Sequence, residues 1–154
     1  PFGECSFTAA GLGVFVPRSL GRSQRPVTDG GGGRSMEVYN LERETIAQNV
    51  ARKLIGNYWL GDFSPDGSLI VRYIGRSLTC IRNRLFSHAY NGEFEGFIWR
   101  PADTVREAFM IECREYHLCN NLTNKDHPNA PRHLPYSCPY PYCDYNKDAK
   151  RGDA

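Results

Sequence analysis

Leu69-Ile70-Val71-Arg72-Tyr73-Ile74-Gly75-Arg76-Ser77, followed within a few residues by Ile81-Arg82-Asn83-Arg84-Leu85-Phe86-Ser87-His88, is the stretch whose reading decides the fold. The β-branched run from Leu69 to Ile74 reads as a strand that stops at Gly75, and a helix-compatible pattern follows. A strand that feeds a helix in this way can bring a strand-end tyrosine and a helical arginine to face one space. A phenol and a planar guanidinium in that space suit a phosphate. Tyr is also an ordinary strand residue and Arg an ordinary helix residue, so the junction alone supports a purely structural reading as well.

Working outward, Leu41, Ile46, Val50 and Leu54 recur at helical spacing and predict an amphipathic helix over 42–54, ended by Gly56. Asn57 to Phe63 predicts a strand, Ser64-Pro65-Asp66-Gly67 a turn, and Ser68 to Ile74 its antiparallel partner. A helix over 78–90 would bury Leu78, Ile81, Leu85 and Ala89, with Asn91-Gly92 breaking it. Phe94 to Trp99 predicts a third strand that Pro101 closes, and Asp103 or Thr104 caps a helix reaching Leu118. The fold class expected is α+β, a three-stranded antiparallel sheet flanked by helices.

The predicted last helix carries Val105, Ala108, Phe109 and Tyr116 on one face, and the seventh step from Val105 is Glu112. A carboxylate on a buried face needs a partner, either a neighbouring arginine or a metal ion.

With 154 residues and 40% hydrophobic content, the chain has material for one core. Four of its 19 basic residues (Arg18, Arg22, Arg25, Arg34) and two of its 17 acids (Glu4, Asp29) precede Met36, leaving fifteen of each from Met36 onward. Bulk charge therefore does not hold a polyanion, and any nucleic-acid contact relies on local clustering, with Arg72, Arg76, Arg82 and Arg84 as candidates. Residues 1–35, with Gly30 to Gly33 in a row, read as a flexible arm, and Met36 directly precedes the first clean helical pattern, as a translation start would. The expected organisation is that arm, a domain over 36–128, and a Pro/Tyr/Cys-rich tail over 129–154.

No apolar run is long enough for a membrane span, and no signal peptide is recognisable in the mildly apolar stretch from Phe7 to Val16. The six cysteines are irregularly spaced, with Cys80 and Cys113 in predicted helical segments, which favours reduced thiols and a cytoplasmic setting. In the tail, Cys138 and Cys143 follow His127 and His133, a loosely spaced set that could bind structural zinc or could be reduced cysteines in a tyrosine-rich tail.

These residues together resemble the GIY-YIG nuclease superfamily. Gly56-Asn57-Tyr58 stands in the place of its first motif, Tyr73-Ile74-Gly75 matches the second, and Arg84 with Leu85 and His88 matches its helical arginine and trailing histidine. Glu112 matches its second-helix glutamate, Asn124 its terminal asparagine, and the five landmarks occur in order over 56–124. Asn57 departs from the motif's apolar residue, and a one-residue insertion between Gly75 and Arg84 leaves Arg82 as a competing assignment.

The resemblance implies divalent-metal-dependent hydrolysis of DNA phosphodiester bonds. Glu112 would bind Mg²⁺ or Mn²⁺ and Arg84 would hold the scissile phosphate. Tyr58 and Tyr73 would border the attacking water, with Tyr73 taking its proton. His88 would orient water or phosphate, or simply hydrogen-bond at its helix end, and Asn124 would brace the site. RNA as substrate remains open, as does a non-catalytic module that uses the same scaffold to bind nucleic acid or protein.

Overall fold

The computed structural model describes residues 6–7 and 37–149, so Met36 and most of the expected arm lie outside the described residues. In chain order the elements are β1 (Ser6–Phe7), β2 (Tyr39–Asn40), α1 (Arg43–Asn49), β3 (Gly56–Phe63), β4 (Leu69–Ser77), α2 (Ile81–Asn91), β5 (Gly96–Pro101), α3 (Val105–Leu118) and α4 (Asp144–Ala149). The α+β class and the β3–β4 antiparallel hairpin are as the patterning predicts.

The strand count is not. The three long strands sit together as β4-β3-β5, but β2 adds to the outer side of β5 to make four strands, and the two residues of β1 pair with Leu69 and Ile70 of β4. All these pairings are antiparallel. Two-residue strands are too short to show an alternation, which is why the three-strand expectation falls short. Helix α1 also stops at Asn49 instead of Leu54, because Val50 turns extended and packs into the core.

Helices cover both faces of the sheet. On one face, Ile46 and Val50 from α1 and its end and Ile81 and Leu85 from α2 pack against Tyr58, Leu60 and Phe97. On the other, Ile111 of α3 packs against Trp59, Leu69, Val71, Ile74 and Ile98. The central strand β3 therefore alternates between two buried faces, as an interior strand covered on both sides must.

One irregularity decides where the tyrosines point. Leu60 pairs with Tyr73 but its neighbour Gly61 pairs with Val71, so Arg72 is an extra residue in β4. Such a bulge inverts the strand's facing pattern. Leu69 and Val71 before it share the α3 face with Ile74 after it. Tyr73 accordingly turns to the opposite face, where Tyr58 lies. Gly61 makes the close approach feasible, since a Cβ there would stand 1.9 Å from the Ile70 carbonyl oxygen. The bulge is held from outside the sheet by Thr123, whose N–H and hydroxyl both donate to the Arg72 carbonyl, at 2.6 and 3.0 Å.

Candidate active site

Beyond Ile70, β4 has no further strand on its outer side among the described residues. A cleft of about 360 Å³ opens near this edge, lined by Tyr58, Tyr73, Gly75, Arg76, Arg84, Ser87, His88, Asn91 and Glu112. A second cleft of similar volume adjoins it through Arg76, Arg84 and Glu112 and is walled by Pro128 and Asn129.

The floor is aromatic. The Tyr58 and Tyr73 rings stack with centroids 6.3 Å apart, and His88 lies over both at 5.4 and 5.2 Å. Tyr58 hydroxyl is 3.2 Å from His88 Nε2. Gly75 lies directly beneath the Tyr58 ring. A Cβ at that position would stand 2.5 Å from both the Tyr58 Cζ and its hydroxyl oxygen, so seating Tyr58 requires glycine at position 75.

Burial raises the pKa of both phenols above the ordinary value. For Tyr58 the neighbouring Tyr73 adds to this and Arg84 opposes it. For Tyr73, Glu112 adds to it, while a hydrogen bond from Tyr58 and the charge of Arg84 oppose it. Burial also lowers the His88 pKa, with Glu93 opposing and Arg84 assisting, so its imidazole favours the neutral form.

The two helical arginines lie in different places. Arg84 lines both clefts, whereas Arg82 lies over the Phe86 ring at 5.5 Å and lines neither. Arg72 is also kept out of the cleft, half-exposed and 4.0 Å from Asp62. Of the three arginines expected to assist Arg84, only Arg76 joins it. The four-residue step from Arg84 to His88 puts both on one face of α2.

Glu112 is 9% exposed, and its neighbour is Arg76, whose Nη1 contacts Oε2 while its Nη2 donates to the Asn129 carbonyl. The Arg76 guanidinium also lies 5.4 Å over the Phe109 ring. Both readings of the buried acid are thus in play: an arginine partner is present, and the carboxylate still lines the cleft. Burial raises the Glu112 pKa and Arg76 opposes that rise. A hard cation such as Mg²⁺ accepts one protein carboxylate while keeping waters, and Glu112 offers that donor, with Arg76 beside it as a competitor for one oxygen.

Asn124 lies outside the cleft lining. Its Oδ1 accepts from the Ile74 N–H at 3.0 Å and its Nδ2 donates to the Ile74 carbonyl at 2.8 Å, so it completes the unpaired edge of β4 between the two motif residues Tyr73 and Gly75. Asn57 is fully buried and donates from Nδ2 to the Ala108 carbonyl at 2.9 Å, one turn before Glu112 on α3.

Away from the cleft, the tail's metal-ligand set differs from the expectation. His117, His127, Cys138 and Cys143 bring their ligand atoms within 4.8 Å of one another and could hold a metal ion. His133 is not in the group. It sits in a left-handed turn at φ 67°, and His117 from the end of α3 takes its place. The patterning hid His117 because it falls inside a regular helix, and no local spacing links it to the tail ligands.

Four of the cysteines (Cys80, Cys113, Cys138, Cys143) are free, but Cys119 is disulfide-bonded, so the expectation of uniformly reduced thiols fails there. Among the described residues, no helix is long and apolar enough to cross a membrane. Comparison with protein-family models, curated proteins and solved structures finds no match to this chain.

Proposed function

We propose that this chain is a metal-dependent endonuclease of the GIY-YIG kind that hydrolyses phosphodiester bonds in DNA. The observation that carries the reading is the convergence of Tyr58, Tyr73, Arg84, His88 and Glu112, from four separate elements, on one cleft. Those five side chains combine a cation for the phosphate, a carboxylate suited to a hard metal, and titratable groups for proton movement.

In this reading Arg84 holds and neutralises the scissile phosphate. Water attacks phosphorus from the tyrosine side, forming one P–O bond as the bond to the leaving oxygen breaks, and its proton passes to Tyr73. Burial makes Tyr73 reluctant to ionise, so the phenolate needs the help that Arg84 and the Tyr58 hydroxyl give it. His88, in its Nε2–H tautomer, donates to the Tyr58 oxygen and leaves the Tyr58 proton directed at Tyr73. Glu112 would hold Mg²⁺ or Mn²⁺, which supplies charge stabilisation for the phosphoryl oxygens when bound.

The Arg76–Glu112 ion pair favours a second reading, a module that binds nucleic acid without cutting it, with Glu112 serving only to set Arg76.

Nicking of supercoiled plasmid and branched DNA by the full chain, with Mg²⁺, Mn²⁺ or chelator and a matched RNA arm, decides between the two. The enzyme reading expects metal-dependent cutting that falls about 10²- to 10³-fold in Arg84→Ala, the usual loss on removing one charge-stabilising group. It also expects that Glu112→Ala abolishes cutting with either metal. Folded wild type that binds DNA and stays inert with every metal overturns it.

A further inference from the structure

We propose that His117, His127, Cys138 and Cys143 form a tetrahedral zinc site that fastens the C-terminal segment to α3 and fixes the wall of the neighbouring cleft. The inference concerns metal content and stands whether or not the chain cuts DNA.

Four observations carry it. First, the geometry suits the ion. Zn–S bonds of about 2.3 Å and Zn–N bonds of about 2.0–2.1 Å give a tetrahedron with edges of about 3.3–3.8 Å. The four ligand atoms lie within 4.8 Å of one another, and His117 Nε2 is 3.3 Å from Cys138 Sγ.

Second, the tautomer is determined. His127 Nδ1 is 2.8 Å from the Pro128 carbonyl, which can only accept, so Nδ1 carries the proton and Nε2 carries the lone pair. That Nε2 is buried and has no hydrogen-bond partner among the described residues. An unpartnered buried lone pair facing two thiols and a second imidazole is the arrangement of a metal ligand. The Nδ1–H bond to a carbonyl is the outer support such ligands commonly have.

Third, the cysteine loop is built. The Asn146 side chain accepts from the Cys138 N–H at 2.7 Å and donates to the Cys138 and Tyr140 carbonyls at 3.1 and 2.9 Å, while the Cys143 N–H donates to the Tyr140 carbonyl at 3.1 Å. The loop is thus held in shape by groups other than the ligands, and both cysteines are free thiols.

Fourth, the segment lacks a conventional core. From Asn120 to Cys143 it forms no helix or strand, and what it buries, Cys138 with Tyr136 and Tyr140 against Phe109 and Cys113 of α3, is a small cluster. Small irregular segments of this kind often depend on a metal. Two sulfurs and two imidazoles in a tetrahedron favour zinc over the oxygen-seeking Mg²⁺ and Ca²⁺.

The link to the cleft is covalent. His127 directly precedes Pro128 and Asn129, which wall it, and the Asn129 carbonyl receives Arg76. Anchoring His127 therefore fixes the position from which Arg76 reaches Glu112.

The test is zinc content of the full chain by elemental analysis, beside His117→Gln, Cys138→Ser and His133→Gln. Cobalt substitution and X-ray absorption on wild type accompany it, so that the test does not depend on the folding of a ligand variant. About one zinc per chain is expected in wild type and in His133→Gln, with tenfold less in His117→Gln and Cys138→Ser. The absorption data should show two sulfur and two nitrogen neighbours. Zinc retained by His117→Gln, zinc lost from His133→Gln, a shell with three sulfurs, or metal-free wild type that resists chelator without loss of thermal stability would each overturn the proposal.

Discussion

Replacing Gly75 with alanine tests whether Tyr58 is seated by packing on the backbone of Gly75. The added Cβ would lie 2.5 Å from Tyr58 Cζ and from its hydroxyl oxygen, and Tyr58 is only 3% exposed, so its ring has little room to retreat. Forcing a methyl into such a space costs about 1–3 kcal/mol. For a chain of this length each kcal/mol lowers Tm by about 2–4 °C, so the melting temperature should fall by about 2–12 °C. The sharper assay is a double-mutant cycle with Tyr58→Ala, which removes every Tyr58 atom near the new methyl. In that background Gly75→Ala should cost little, giving a coupling of about 1–3 kcal/mol between two residues seventeen positions apart. Additive costs, or a Gly75→Ala variant that melts with wild type, would refute the claim that Gly75 seats Tyr58.

The other expectations follow from the groups around that pair. Asn124→Ala leaves the Ile74 N–H and carbonyl without their side-chain partners. It should cost about 1–3 kcal/mol in chemical denaturation, a loss that Asn124→Asp only partly restores, since a carboxylate accepts but does not donate. Burial holds the His88 pKa below its ordinary 6.5, so the unfolded chain takes up the proton first as pH falls. The stability of wild type relative to His88→Gln should therefore be level above about pH 7 and decline below about pH 6.5, and parallel profiles for the two proteins would exclude it.

The β3–β4 hairpin and α3 were legible because each combines a strong period with turn or cap chemistry, whereas β4 runs past the expected stop at Gly75 to Ser77 and α2 starts at Ile81 instead of Leu78. Of the two cap residues expected, Asp103 or Thr104, it is Thr104 that accepts from the Glu107 N–H, at 3.0 Å. Glu112 stood out for a different reason, as a charge on an apolar stripe. What stayed hidden depends on tertiary pairing. The bulge at Arg72 leaves no local mark, since Gly61 on the facing strand is what permits it. Arg76 and Arg82 are both arginines near one junction. Only the register of β4 and the facing of α2 separate the one that meets Glu112 from the one that lies over Phe86. His117 was masked in the same way, because a helical histidine shows its metal-binding face only when the tail is folded against it.

Glu112 separates the enzyme from the binding module by charge as well as by activity. Its carboxylate faces the cleft that Arg76 and Arg84 line, so with no divalent cation present it opposes a phosphate and holds Arg76 to itself. Glu112→Gln removes that negative charge with almost no change of shape. If Glu112 is a metal ligand, the variant should bind DNA more tightly than wild type in chelator, because Arg76 becomes available to phosphate. The log–log salt dependence should then steepen by about 0.9, the increment for one further phosphate contact. The same variant should lose its response to Mg²⁺ and Mn²⁺. If Glu112 serves only to set Arg76 for binding, breaking the ion pair should weaken DNA binding and leave the salt slope unchanged or shallower. The opposite signs make a titration at three salt concentrations sufficient, and it needs no turnover to be informative.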